Sequence, residues 1–121
     1  MEEYRKDDEL ARCMVEWGWR YHHVGIPTRQ VRPGETYLKF SVSGFASSPF
    51  GAEWMRFDEE CGMHELIQTV PHIAFVVEDL DFELATRGFT ILTKPNPPSE
   101  GVRVAMIEHN GVPIELIEFS S

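Results

Sequence analysis

Pro71-His72-Ile73-Ala74-Phe75-Val76-Val77 decides the fold, because the chain has already said it once as His23-Val24-Gly25-Ile26-Pro27. In both segments a His opens an apolar strand. A second echo follows each of them. Ala52-Glu53-Trp54-Met55-Arg56-Phe57 comes after the first, and Ile114-Glu115-Leu116-Ile117-Glu118-Phe119 after the second. Glu stands second in each echo and a Phe closes each. Self-similarity at a fixed period predicts a structure built from repeated units. One His and one Glu per unit make a mixed nitrogen–oxygen set of four candidate metal ligands, His23, Glu53, His72 and Glu115.

Working outward, alternate residues of a strand point to opposite faces. In Arg20–Pro27, His23 shares a face with Gly25, and His22 is expected on the other face with Val24 and Ile26. Residues 28–36 are too short and too marked by Pro33 and Gly34 for a helix. Strands are predicted over Tyr37–Ser43 and Ala52–Phe57, with a helical turn around His64–Ile67. After the strand Pro71–Val77, Glu78-Asp79 starts a helix with Leu80, Leu84 and Ala85 on its apolar face, and Gly88 stops it. Phe89–Lys94 is read as a strand and Pro95–Gly101 as a loop, with Asn96–Gly101 a lid or a plain surface loop. Val102–Glu108 and Val112–Phe119 form a hairpin about the turn signal His109-Asn110-Gly111. The second module therefore reads β-α-β-β-β, and the first reads the same without its helix. Residues 3–18 are predicted to be a helix with a Leu10, Met14, Trp17 stripe. That helix is expected to cover the sheet face left bare in the first module.

Length and composition fit one domain over 1–121: an N-terminal helical segment at 1–19, a first module at 20–58 and a second at 70–119. No apolar run approaches the roughly 20 residues of a membrane span, so no membrane partner is expected. A formal net charge of −9 disfavours nucleic-acid binding, which needs clustered Lys and Arg. Met1-Glu2-Glu3-Tyr4-Arg5-Lys6 lacks the apolar segment of a signal peptide, and Cys13 and Cys61 form no cluster. Both observations point to a cytoplasmic protein. Edges left open by one truncated module predict a homodimer.

The residues His23-Val24-Gly25-Ile26, His72-Ile73-Ala74-Phe75, Leu84-Ala85-Thr86-Arg87-Gly88-Phe89 and Asn110 to Glu118 resemble the vicinal oxygen chelate superfamily. That superfamily includes glyoxalase I, methylmalonyl-CoA epimerase, ring-cleaving dioxygenases and bleomycin-resistance proteins. The resemblance is strong over 70–119, weaker over 20–57 and absent from 1–19. It implies an α+β fold of paired βαβββ modules, forming a curled mixed sheet around a cleft. It also implies metal ligands on the first and last strands of each module, at His23, Glu53, His72 and Glu115. The chain departs from the pattern in spacing. His23 and Glu53 are 30 residues apart, whereas His72 and Glu115 are 43 apart.

Such a ligand set suits Zn, Ni, Co, Mn or Fe(II). A divalent ion there would stabilise an enediolate or enolate of a small substrate that chelates through two neighbouring oxygens. Similarity to glyoxalase I makes Glu115 the first candidate for the catalytic base and Glu53 the second. Three readings follow. The first is a glyoxalase-like lyase or isomerase. The second is a metal-free ligand trap of the bleomycin-resistance type. The third is an Fe(II) ring-cleaving dioxygenase using His23, His72 and Glu115. The four-ligand set favours the first. Glutathione as co-substrate has no support, because Arg20, Arg29, Arg32, Arg56 and Arg103 form no cluster for its carboxylates or for coenzyme A phosphates.

Overall fold

The computed structural model describes residues 8–37, 40–59 and 61–120. Eight strands form one sheet. They are β1 (Arg20–Pro27), β2 (Thr36–Tyr37), β3 (Ser41–Ser43), β4 (Ala52–Arg56), β5 (His72–Val76), β6 (Thr90–Ser99), β7 (Val102–His109) and β8 (Val112–Phe119). Their order is β2-β3-β4-β1-β5-β8-β7-β6. The two modules meet at the antiparallel β1–β5 pair. Outside it, β1 runs parallel to β4 and β5 runs parallel to β8. The result is a mixed, curled half-barrel sheet with few helices, an α+β fold.

The helices are short and are held by tertiary contacts. α3 (Leu80–Thr86) has seven residues, too few to persist alone. The Asp79 carboxylate caps it, accepting from the Phe82 N–H at 3.0 Å. Glu118 on β8 accepts from the Leu80 N–H at 2.9 Å. Leu80 is fully buried among Trp19, Val77, Ala105, Ile107 and Leu116, and burying such a side chain is worth about 1.5–3 kcal/mol. Ala85, expected on the buried face, is exposed; Glu83 is buried instead, ion-paired to Arg87. α2 (Glu65–Thr69) starts where the His64 ring accepts from the Leu66 N–H at 3.0 Å.

Three local expectations are corrected. The N-terminal helix α1 is only Arg12–Val15, and the expected residues 3–7 lie outside the described residues. Leu10 is exposed, and Trp17 with Cys13 packs on the second module, in an aromatic cluster with Trp19 and Phe89. Arg87 lies over the Trp17 ring at 4.1 Å. The bare face of the first module is covered by the β1–β2 connection. Arg32 stacks on Trp54 at 4.1 Å, and Glu35 accepts two hydrogen bonds from Arg56 at 2.9 and 2.8 Å.

The second correction concerns Pro95–Gly101. β6 continues through Pro95, Pro97 and Pro98 to Ser99, paired with β7 across three register shifts. Proline cannot donate to a ladder, so it suits an edge strand with bulges, which is where β6 lies. The third concerns the expected strand Tyr37–Ser43. It is divided between β2 and β3, and residues 38–39 lie outside the described set. At the β7–β8 turn, Asn110 and Gly111 take φ of 50° and 84°, as a two-residue hairpin of type I′ requires.

Candidate metal centre

The repeat in sequence reappears as a repeat in register. Glu53 pairs with Gly25, two residues after His23. Glu115 pairs with Ala74, two residues after His72. Across the antiparallel seam, His23 faces Ala74 and Gly25 faces His72. Each histidine therefore lies over the small residue of the other module. A Cβ at Gly25 would fall 2.1 Å from His72 Cε1, so the ring occupies space that only glycine leaves. Ala74, fully buried between His23 and Glu115 in the sheet, lets those two side chains meet above it.

Three donor atoms converge. His23 Nε2 lies 3.1 Å from Glu115 Oε1, His72 Nε2 lies 3.2 Å from the same oxygen, and the two Nε2 atoms are 3.2 Å apart. Atoms that each carry a lone pair cannot share so small a triangle without positive charge between them. Protons or a cation must supply it. With donor–metal distances of about 2.0–2.2 Å, adjacent ligands are about 3.0 Å apart around an octahedral ion and about 3.4 Å around a tetrahedral one. The triangle lies between these values, so the donor set fits a divalent ion. Glu53 Oε1 is 3.9 Å from His23 Nε2, the fourth group of the expected set, outside the tight trio.

The electrostatics follow from this packing. Burial alone would raise the Glu115 carboxyl, but hydrogen bonds from His23 and His72 outweigh it and hold the pKa at about 2. Burial works against a charged His23, yet the Glu115 carboxylate keeps that imidazole above its ordinary value. Glu53 is pushed upward by burial, against the opposing pull of His23. The two carboxylates thus differ in character. One is fixed by two imidazoles, and the other is less engaged and more readily protonated.

His22 departs from the alternation rule. A bulge between Tyr21 and His23 brings it onto the cleft side, where it lines the pocket. Its Nδ1 is 2.8 Å from His23 Nδ1, and its ring stacks on Phe45 at 5.1 Å between centroids. If His23 offers Nε2 to an ion, its Nδ1 carries the proton and donates to His22. That is how ligating histidines are usually oriented. No sequence signal marks the bulge, although the adjacent pair His22-His23 names the residue.

The donors line a cavity of about 450 Å³. Phe40, Val42, Met55, Met106 and Ile117 line its walls, with Asn96 and Pro98 of β6 at one side. The segment considered as a lid is thus partly pocket wall. Glu118 faces away from Glu115, bound to Leu80 and Arg103. Cys61 lines the pocket, while His109 is exposed.

No family profile matches the chain, and no curated protein matches it. Solved structures do. A hypothetical protein from Bacillus halodurans C-125 is similar over 85% of this chain and 96% of its own, with 18% identity and a TM-score of 0.62. Methylmalonyl-CoA epimerase from Mycobacterium tuberculosis is similar over 84% of this chain and 89% of its own, with 19% identity and a TM-score of 0.58. With the paired modules and their central cleft, this likeness shows that the chain has the fold of the vicinal oxygen chelate superfamily.

Proposed function

We propose that the protein is a metal-dependent isomerase or lyase that moves a proton on a small substrate bound through two neighbouring oxygens. The observation that carries this reading is the triangle of His23 Nε2, His72 Nε2 and Glu115 Oε1, with edges of 3.1–3.2 Å and a second carboxylate, Glu53, beside it. His23, His72 and Glu115 would hold the ion, and Glu53 completes the set. A divalent ion there supplies Lewis-acid stabilisation of the negative charge that develops when a proton leaves a carbon next to a carbonyl. The similarity in fold to an epimerase supports the reaction class.

The chain's own residues divide the remaining work. Resemblance to glyoxalase I ranks Glu115 first as base. The geometry favours Glu53, because Glu115 is committed to two imidazoles while Glu53 stands 3.9 Å from the nearest. Its raised pKa brings it closer to neutrality, where a general base works best. Glu53 then takes the proton from the substrate carbon and returns it to the same or the adjacent carbon. His22 keeps the His23 ring in place, and the apolar walls exclude water from the carbanionic species.

The test has two parts. Protein purified without chelator and reloaded with Ni, Zn, Co and Mn should take up one ion per chain. Glu115→Gln should weaken that uptake, and Glu53→Gln should largely keep it. With uncharged α-hydroxyketones in D₂O, exchange of the proton beside the carbonyl should fall about 10²–10⁴-fold in Glu53→Gln. Folded wild-type protein that takes up no metal sinks the reading and promotes the ligand trap. Wild-type exchange rates in Glu53→Gln remove Glu53 as the base. One observation favours a second reading: the tight trio is two imidazoles and one carboxylate, the set of Fe(II) oxygenases. Oxygen uptake with a catechol on the Fe(II)-loaded chain would favour it.

A further inference from the structure

We infer that the pocket selects a molecule that carries no charge away from its two metal-facing oxygens and is otherwise apolar. The inference rests on the metal reading above and concerns the rest of the cavity. Among the described residues, no Lys or Arg lines it. Three of the five arginines that the sequence offered for anion binding are engaged elsewhere. Arg32 lies over Trp54, Arg56 is bound to Glu35, and Arg103 is bound to Asp81 and Glu118.

The polar wall residues offer few free donors: both hydrogens of the Asn96 amide are used, and the Thr93 hydroxyl oxygen is already bound. The Thr93 hydroxyl accepts from the Met106 N–H at 2.9 Å. The Asn96 amide donates to the carbonyls of Lys94 at 3.0 Å and Val104 at 3.4 Å. Beyond the histidines, the described wall therefore offers little to an anion. Among the donors, Glu53 and Glu115 together balance the two charges of a divalent ion, so no positive charge is left over. The chain as a whole carries −9. A second carboxylate or a phosphate placed against Val42, Met55, Met106 or Ile117 would lose its hydration and gain no partner. An apolar body gains by the same burial. The cavity of about 450 Å³ is within the range of about 300–1,000 Å³ typical of small-molecule sites. Three of its lining residues, Met55, Met63 and Met106, are methionines, which adapt to irregular apolar shapes.

The test uses two matched probes with the same pair of vicinal oxygens, methyl 3,4-dihydroxybenzoate and 3,4-dihydroxybenzoate. Each is titrated into the Co(II)-loaded full chain, followed by the visible absorption of the ion and by calorimetry. The same pair titrated into a small-molecule Co(II) complex gives the intrinsic preference of the metal. After that correction the neutral ester should bind at least about tenfold tighter, the change produced by 1.4 kcal/mol. Equal binding, or tighter binding of the carboxylate, overturns the inference. A second pair, methyl 2-naphthoate and 2-naphthoate, tests the wall in metal-free protein through naphthyl fluorescence. Preference for the ester there supports the inference even if no ion is ever taken up, in which case only the metal reading falls. Naphthoate binding as tightly as its ester overturns the inference whatever the metal does.

Discussion

Gly25→Ala is the sharpest perturbation of this site, because two physical effects compete and the structure says which wins. The position has an ordinary negative φ, so an alanine there restricts the unfolded chain and by that route stabilises by about 0.4–1 kcal/mol. The added methyl, however, would be centred 2.1 Å from His72 Cε1 and 2.6 Å from both ring nitrogens. His72 has little room to retreat. It is 1% exposed and its Nε2 is within 3.2 Å of both His23 and Glu115. Overpacking of this kind costs about 1–3 kcal/mol, so the net expectation is a loss of about 1–2 kcal/mol. For a chain of this length that is a fall in Tm of about 4–8 °C.

The same displacement moves a ligand nitrogen, so metal affinity should fall by at least tenfold. Thermal and urea unfolding of metal-free protein measure the first effect, and competitive metal titration measures the second. Removing the ring separates them. Gly25→Ala should cost little stability in a His72→Ala background, because the clash has gone, while metal binding stays lost. Gly25→Ala protein as stable as wild type, with full metal affinity, would refute the packing argument.

Three further outcomes are expected. His22→Phe keeps the stacking on Phe45 but removes the acceptor for His23 Nδ1, and metal affinity should drop about 10–100-fold with secondary structure unchanged by circular dichroism. The Glu118 carboxyl is held below its ordinary range by the Leu80 N–H and then by Arg103, so its contribution is present above the unfolded carboxylate value and lost as pH falls through the folded one. Glu118→Gln should therefore destabilise by about 0.5–1.5 kcal/mol at pH 7, with the gap to wild type closing towards pH 3 in urea titrations and activity little changed. Light scattering at micromolar concentration should give the mass of a dimer, since the short edge strand β2 leaves the sheet edge open and Tyr37 on it exposed; a monomer mass rejects this.

What could be read from the residues follows from how each feature is encoded. β1, β5, β8 and α3 are written in local patterns, an apolar alternation or an Asp cap with a terminal Gly, and they lie where those patterns point. The N-terminal stripe of Leu10, Met14 and Trp17 misled because the packing depends on Trp17 finding Phe89 and Arg87, about seventy residues away. The prolines of β6 misled because the same residues that punctuate loops are tolerated on an edge strand, and edge position is a property of the whole sheet.

At the centre, the repeated His and Glu stand plainly in the sequence, and a second regularity stands beside them. Both histidines are followed two residues later by a small residue, Gly25 and Ala74. The antiparallel seam gives that spacing its meaning, because each small residue makes room for the other module's histidine. A two-module site is therefore written crosswise. The space for His72 is encoded beside His23, and the space for His23 beside His72. A change at either small residue should act on the histidine of the opposite module, about fifty positions away. The bulge at His22 has no such partner in the second module, where Pro71 precedes His72. The two halves therefore differ where His22 braces His23, while His72 Nδ1 is buried and without a partner among the described residues. Of the two candidate ligands His23 is therefore braced at both ring nitrogens, whereas His72 is held at Nε2 and by its packing against Gly25.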